Sequence, residues 1–205
     1  SSLESFDFEH SVDFTFDAPS DEKNPYNTRA IAAALQSAER HADQDHKYNL
    51  VELEAFIAKD RTYYGRFTLH GENVGEKATN HAPFVFTALG MSYFRDCDCT
   101  AKDLDTDIQI NVEPLANRSF DTFPCHLLFN EPLPPGQSFK LEVCFTLPSV
   151  MLDESDYDML TLLRFPRGVK LSRFSVVSER RMLGAEALEA RGRRVLKSEH
   201  QLEKI

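Results

Sequence analysis

Tryptophan is absent from this chain, and so is any apolar run of membrane-spanning length. The longest stretch, Ala82 to Met91, contains Pro83 and falls well short of the about 20 apolar residues that a spanning helix needs, so no transmembrane segment is expected. Lys and Arg are missing from residues 1 to 22, where Glu4, Asp7, Glu9, Asp13, Asp17, Asp21 and Glu22 gather. An acidic opening that starts Ser1-Ser2 lacks the basic and apolar layout of a secretory signal. Cysteine is sparse as well: Cys97, Cys99, Cys125 and Cys144 read as reduced thiols in a cytoplasmic protein.

Local motifs of chemistry are also missing. Gly65, Gly71 and Gly75 are spaced as turn glycines and form no phosphate loop; there is no Gly-x-Ser-x-Gly elbow and no His-Glu-x-x-His. The sequence therefore nominates no catalytic residue, no metal site and no cofactor. It leaves open a hydrolase or metal-dependent enzyme whose scattered His and acidic residues meet only in space. A formal net charge of −10 opposes non-specific attraction to nucleic acid, and none is expected as a partner.

What the chain does contain is a Phe-rich, ordinary globular composition, with 16 Phe and 41% hydrophobic residues. One domain over 1–205 is the simplest organisation for a β protein of this size. Its fold class is expected to be mainly β, an antiparallel β-sandwich with a barrel as the alternative. Period-two alternation of Phe6, Phe8, Val12, Phe14 and Phe16 against Asp7, Glu9, Asp13 and Asp17 predicts a first strand within 1–18. An alanine-rich body after Asn27 or Thr28 predicts a helix over 27–46.

Strands are expected through 48–178. Tyr48, Leu50, Leu53, Phe56 and Ile57 mark one, Lys59-Asp60-Arg61 a turn, and Tyr63, Phe67 and Leu69 its hairpin partner. Further strands are expected at 83–94, 107–112, 122–129, 138–147, 158–165 and 170–177. After residue 179 proline disappears, and Leu188, Val195 and Leu202 recur every seven residues, which predicts a C-terminal helix over 179–205 interrupted by Gly184 and Gly192. Arg180 and Arg181 begin a basic end, so this helix is the expected surface for a protein partner or a second copy, through Arg180, Arg181, Leu188, Val195 and Leu202.

Three clusters carry possible binding chemistry. Arg61-Thr62-Tyr63-Tyr64-Gly65-Arg66 interleaves guanidinium and phenol groups, and Arg61, Tyr63, Tyr64 and Arg66 form the first choice for a small, nucleotide-like ligand. The bland alternative is a hairpin with tyrosines packing across strands. His41-Ala42-Asp43-Gln44-Asp45-His46 reads as a solvated helix end that gives one ion only two local ligands. Asp96, Asp98, Asp103, Asp105 and Asp107 have the acid density of a Ca²⁺ loop but lack the central Gly and closing Glu of an EF-hand, so an exposed acidic loop is expected.

The clearest local signature is the corner Pro132-Leu133-Pro134-Pro135-Gly136, followed by the alternating strand Phe139 to Pro148 and by 160–165 and 167–177. These residues resemble the accessory immunoglobulin-like β-sandwich domains of bacterial regulatory and defence-associated proteins. That resemblance implies a non-catalytic sensing or docking domain, part of a larger bacterial signalling or defence system, and brings no site residues with it.

Overall fold

The computed structural model describes residues 15–16, 44–89, 97–115, 122–148, 160–162, 169–179, 187–191 and 194–198. These residues form strands β1 (Thr15–Phe16), β2 (His46–Ile57), β3 (Tyr63–Asn73), β4 (Thr79–Leu89), β5 (Asp98–Asp103), β6 (Ile108–Ile110) and β7 (Val112–Pro114). They continue with β8 (Thr122–Leu133), β9 (Ser138–Leu147), β10 (Leu160–Leu162), β11 (Val169–Ser178), β12 (Ala187–Arg191) and β13 (Arg194–Ser198). Among the described residues there is no helix, hence none long and apolar enough to cross a membrane.

Two open sheets face each other. The larger has six strands in the order β11-β2-β3-β9-β5-β6, the smaller four in the order β10-β4-β8-β7. Among the described residues neither closes on itself, so they form a sandwich and not the barrel alternative. Alternation explains β9 directly: Phe139, Leu141, Val143, Phe145 and Leu147 are buried, while the residues between them face water or lie at partial depth. The β2–β3 hairpin forms as the sequence predicts. Its turn is closed by Arg61 N–H donating to Ala58 O at 2.9 Å and Ala58 N–H donating to Thr62 O at 2.9 Å, with Arg61 at a φ of 71°.

The core is a stack of aromatic rings contributed by both sheets. Phe145 stacks on Phe86 at 4.9 Å and on Phe84 at 5.8 Å, and meets Phe67 and Phe123 edge-on at 6.0 and 5.9 Å. Phe67 adds edge contacts to Phe84 and Phe86 at 5.3 and 5.6 Å. Offset and edge-to-face rings gain electrostatic as well as apolar contact, and a bulky ring from each sheet fills the space between sheets spaced about 10 Å apart.

One end of the sandwich is tied by Asn73, fully buried at the close of β3. Its Nδ2 donates to Leu133 O at 2.8 Å and Lys77 O at 2.9 Å, and its Oδ1 accepts from Gly75 N–H at 2.9 Å. Its main chain reaches the proline corner, with Asn73 N–H donating to Gln137 O at 3.0 Å and Gly136 N–H donating to Asn73 O at 2.7 Å. At that corner Gln137 N–H donates to Pro134 O at 3.1 Å and Gly136 has a φ of +78°, the pattern of a type II turn with Pro135 before the glycine. Pro132 itself lies within β8. Next to the clamp, Gly71 leaves room for the Phe139 ring, which a Cβ at that position would meet at 2.5 Å.

Several expectations need correction. The sandwich is not wholly antiparallel, because β11 joins β2 in parallel, from Val169 beside Tyr48 to Ser178 beside Ile57. A register shift between Tyr48 and Leu50 reverses the parity of β2, so Tyr48 and Val51 both face the core while Leu50 faces outward with Phe56. Of the helix expected over 27–46, only the end is described: Gln44 and Asp45 form a bend and His46 opens β2. Of the C-terminal helix expected over 179–205, the described parts are Glu179, in a bend, and the antiparallel strands β12 and β13, with Gly192 falling between them in sequence. The first strand expected within 1–18 is described only at Thr15–Phe16, which pairs in parallel with β13.

Two substitutions test this account. Phe145→Ala removes the ring that links both sheets and is expected to lower stability by about 3–5 kcal/mol in urea denaturation. Asn73→Ala removes the amide that donates to Leu133 O and Lys77 O and leaves Gly75 N–H with Asp45 O alone, and about 3 kcal/mol of destabilisation is expected in the same measurement.

Candidate functional site

The outer face of the six-stranded sheet collects the side chains of greatest functional interest. Because residues in register share a face, its cross-strand rows can be read directly. One row runs Val177, Phe56, Tyr64 and Thr146; the next runs Ser175, Glu54, Arg66 and Cys144; a third runs Arg173, Glu52, Thr68 and Glu142. The first row is apolar and open to water, with Phe56, Tyr64 and Val177 exposed by 37%, 47% and 51%. The Phe56 and Tyr64 rings lie 6.2 Å apart, tilted by 31°.

Behind that row the charges are matched within the sheet. Arg66 binds Glu54 with Nε donating to Oε2 at 2.8 Å and Nη2 sharing the same oxygen. This hydrogen bond and the Glu54 charge raise the guanidinium pKa further. Arg173 lies 3.8 Å from Glu52, and Lys102 lies 3.6 Å from Glu142 and 3.1 Å from Asp107. Asp107 and Glu142 together hold the Lys102 ammonium above its ordinary pKa. Cys144, set among these groups, has its thiol pKa pushed up, first by desolvation and then by the Glu142 carboxylate, with the Arg66 charge opposing.

The four residues expected to hold a nucleotide-like ligand do not converge. Tyr64 and Arg66 share the outer face, and Arg61 sits in the hairpin turn. Tyr63 points the other way, fully buried and stacked against Phe86 at 6.2 Å. Leu188 and Val195 lie on β12 and β13, whose register pairs Ala190 with Val195 and Leu188 with Lys197, whereas Arg180, Arg181 and Leu202 lie outside the described residues.

The other two clusters resolve into structure. His46 does not sit on a solvated helix end: it is buried, with its ring edge-on to Phe139 at 5.3 Å and Phe129 at 6.0 Å. His41 is outside the described residues. In the acidic loop, Asp103 Oδ1 accepts from the N–H groups of Asp105 and Thr106 at 2.8 and 3.0 Å, Asp105 meets Lys140 at 2.8 Å, and Asp107 meets Lys102. Those acids close the β5–β6 turn. Among the described residues, no group of three or more His, Cys, Asp or Glu is placed to hold a metal ion.

One constellation escaped sequence reasoning. On the outer face of the smaller sheet, His81 of β4 and His126 of β8 stack at 4.0 Å, and His126 Nδ1 lies 3.8 Å from Glu113 of β7. The residues are far apart in the chain, so only the strand register brings them together.

No family model matches the chain, and no curated protein does. Among solved structures, an M1 zinc metallopeptidase from Deinococcus radiodurans is 11% identical with a TM-score of 0.36, over 52% of this chain and 21% of that one. The native yeast LTA4 hydrolase is likewise 11% identical with a TM-score of 0.35, over 50% of this chain and 14% of that one. A putative protease from Parabacteroides distasonis is 9% identical with a TM-score of 0.29, over 52% of this chain and 24% of that one. The chain thus matches under a quarter of each of these proteins' lengths, and likenesses of this size transfer neither fold nor activity.

The Arg66–Glu54 pair is half exposed on both sides, by 53% and 51%. A double-mutant cycle with Glu54→Ala and Arg66→Ala, read by urea denaturation, is expected to give a coupling of no more than about 1 kcal/mol.

Proposed function

We propose that this chain is a non-enzymatic binding module that docks a protein partner on the outer face of its six-stranded sheet. The observation that carries this reading is the exposed row of Phe56, Tyr64 and Val177, flanked by charges that already satisfy one another. Exposed rings beside charged groups are frequent at protein interfaces, where a few aromatic side chains supply most of the binding energy. The neighbouring guanidinium of Arg66 is engaged by Glu54, and the charges behind the row are of mixed sign, which suits a protein surface better than a phosphate.

The nucleotide-sensor reading finds less support, because Tyr63 is committed to the core. A hydrolase would need convergent acid, base and nucleophile groups, and the described outer face offers ion pairs and a thiol held protonated. The role of an accessory domain within a larger signalling or defence system belongs to the same proposal.

The test compares the wild-type chain with the F56D/Y64D variant as baits in lysate of the source organism. Phe56 and Tyr64 face each other across the strand pair, so losing the ring contact and setting two carboxylates opposite each other is expected to lower Tm by several degrees while the chain stays folded, and affinity for the partner that wild type retains falls more than tenfold. Gln109→Asp, exposed on β6 away from the row, serves as the control and keeps binding. Identical partners on wild-type and F56D/Y64D baits overturn the proposal, as does a nucleotide-dependent rise in Tm that R66M abolishes.

A further inference from the structure

Two cysteines face each other across the interior of the sandwich. Cys99 belongs to β5 in the larger sheet, where its register partner is Phe145; Cys125 belongs to β8 in the smaller sheet, where its partner is Phe84. Phe84 and Phe145 stack directly at 5.8 Å, so the two thiols flank a contact that already holds the sheets together. Phe123, two residues before Cys125 on the same face, meets Phe145 edge-on at 5.9 Å and fixes the other side. Cys125 is 1% exposed and Cys99 is half-buried, and the Cys99 and Cys125 side chains share a hydrogen bond.

We propose that Cys99 and Cys125 form a redox modification site that closes into a disulfide joining the two sheets. A disulfide needs its Cβ atoms about 3.5–4.5 Å apart, and these two thiols sit on opposite walls of one contact, beside the strand neighbours Phe145 and Phe84 that stack at 5.8 Å. The oxidant is a small disulfide such as glutathione disulfide. The Cys99 thiolate attacks one of its sulfurs and releases the first small thiolate; the Cys125 thiolate then attacks Cys99 Sγ, releasing the second. Both protein thiols give up their protons, and the two electrons end on the two small thiols. The hydrogen bond that the Cys99 thiol donates to Cys125, together with desolvation, holds Cys99 protonated well above its ordinary pKa, so closure is slow at neutral pH and quickens as pH rises. Only Cys99 offers the incoming oxidant partial access, which sets the order of the two steps.

The other thiols lie elsewhere. Cys144 points to the outer face beside Arg66, and Cys97 lies at partial depth just before β5, with its Sγ 3.8 Å from Asp98 O. The C97S/C144S variant keeps Cys99 and Cys125 alone, which makes the product unambiguous.

The experiment incubates C97S/C144S with glutathione disulfide at pH 7 and pH 8.5, traps free thiols by alkylation, and follows intact mass and Tm. The expected result is an unalkylated monomer lighter by about 2 Da, formed several-fold faster at the higher pH, whose Tm is higher by about 5 °C or more than that of the reduced protein. The wild-type chain, oxidised the same way, is expected to yield a cross-linked peptide joining Cys125 to the Cys97-Cys99 segment, and this reading holds even if the double variant folds poorly. Full alkylation of folded protein after prolonged oxidation, a covalent dimer, a Cys97–Cys99 loop in the wild-type chain, or a cross-linked monomer that melts below the reduced form each overturns the proposal.

Discussion

The packing of Phe145 against rings from the opposite sheet is the constraint on which the rest of the molecule depends. A six-stranded and a four-stranded sheet offer many ways to lie across one another, and the rings of Phe84, Phe86 and Phe123 select one by seating around a single side chain of β9. Once that contact is made, the inner faces of β3 and β9 are buried, and their residues of alternate parity turn outward to water or to partial depth. The outer rows of charge and the apolar row at their end are therefore consequences of the core, since a one-residue slip of β9 or β3 would exchange the two faces.

The ends of the sandwich obey a different rule. Turns there must satisfy main-chain groups without the ladder, and Asn73 does so for two turns at once, reaching the β3–β4 connection through its amide and the β8–β9 corner through its own backbone. An asparagine suits this place because it carries both a donor and an acceptor on a short stem. Gly136 and Pro135 complete the corner with the backbone angles that a tight reversal needs. Position 71 completes it sterically, because the ring of Phe139 occupies the space that a side chain there would take.

How much of this was legible follows from the range of each interaction. Strand β9 and the β2–β3 hairpin could be read because alternation and turn residues are local. The adjacent pair Tyr63-Tyr64 looked like one aromatic platform, yet neighbouring strand residues face opposite ways, and the two rings end on different sides of the sheet. The spacing of Leu188 and Val195 suggested a helical seam, while the described residues there are paired strands. An irregular register near Asn49 shifts parity in β2, and no local residue announces it. The His81–His126 stack, the outer apolar row and the facing thiols of Cys99 and Cys125 all depend on which strands become neighbours, and that information lies in the whole chain.

Strand β11 gives this point a kinetic meaning. It lies at an edge of the larger sheet among the described residues, and its far end is anchored by Glu179, whose carboxylate accepts from Lys59 N–H across 120 residues of sequence. Such a pairing forms only after a large loop has closed, which costs entropy before any contact repays it. Its outward residues Leu171 and Val177 bury little, so this edge carries less apolar cover than the centre of the sheet. The apolar row is thereby completed by a strand that joins the sheet from a distant part of the chain, so the surface is whole only while those two parts stay joined.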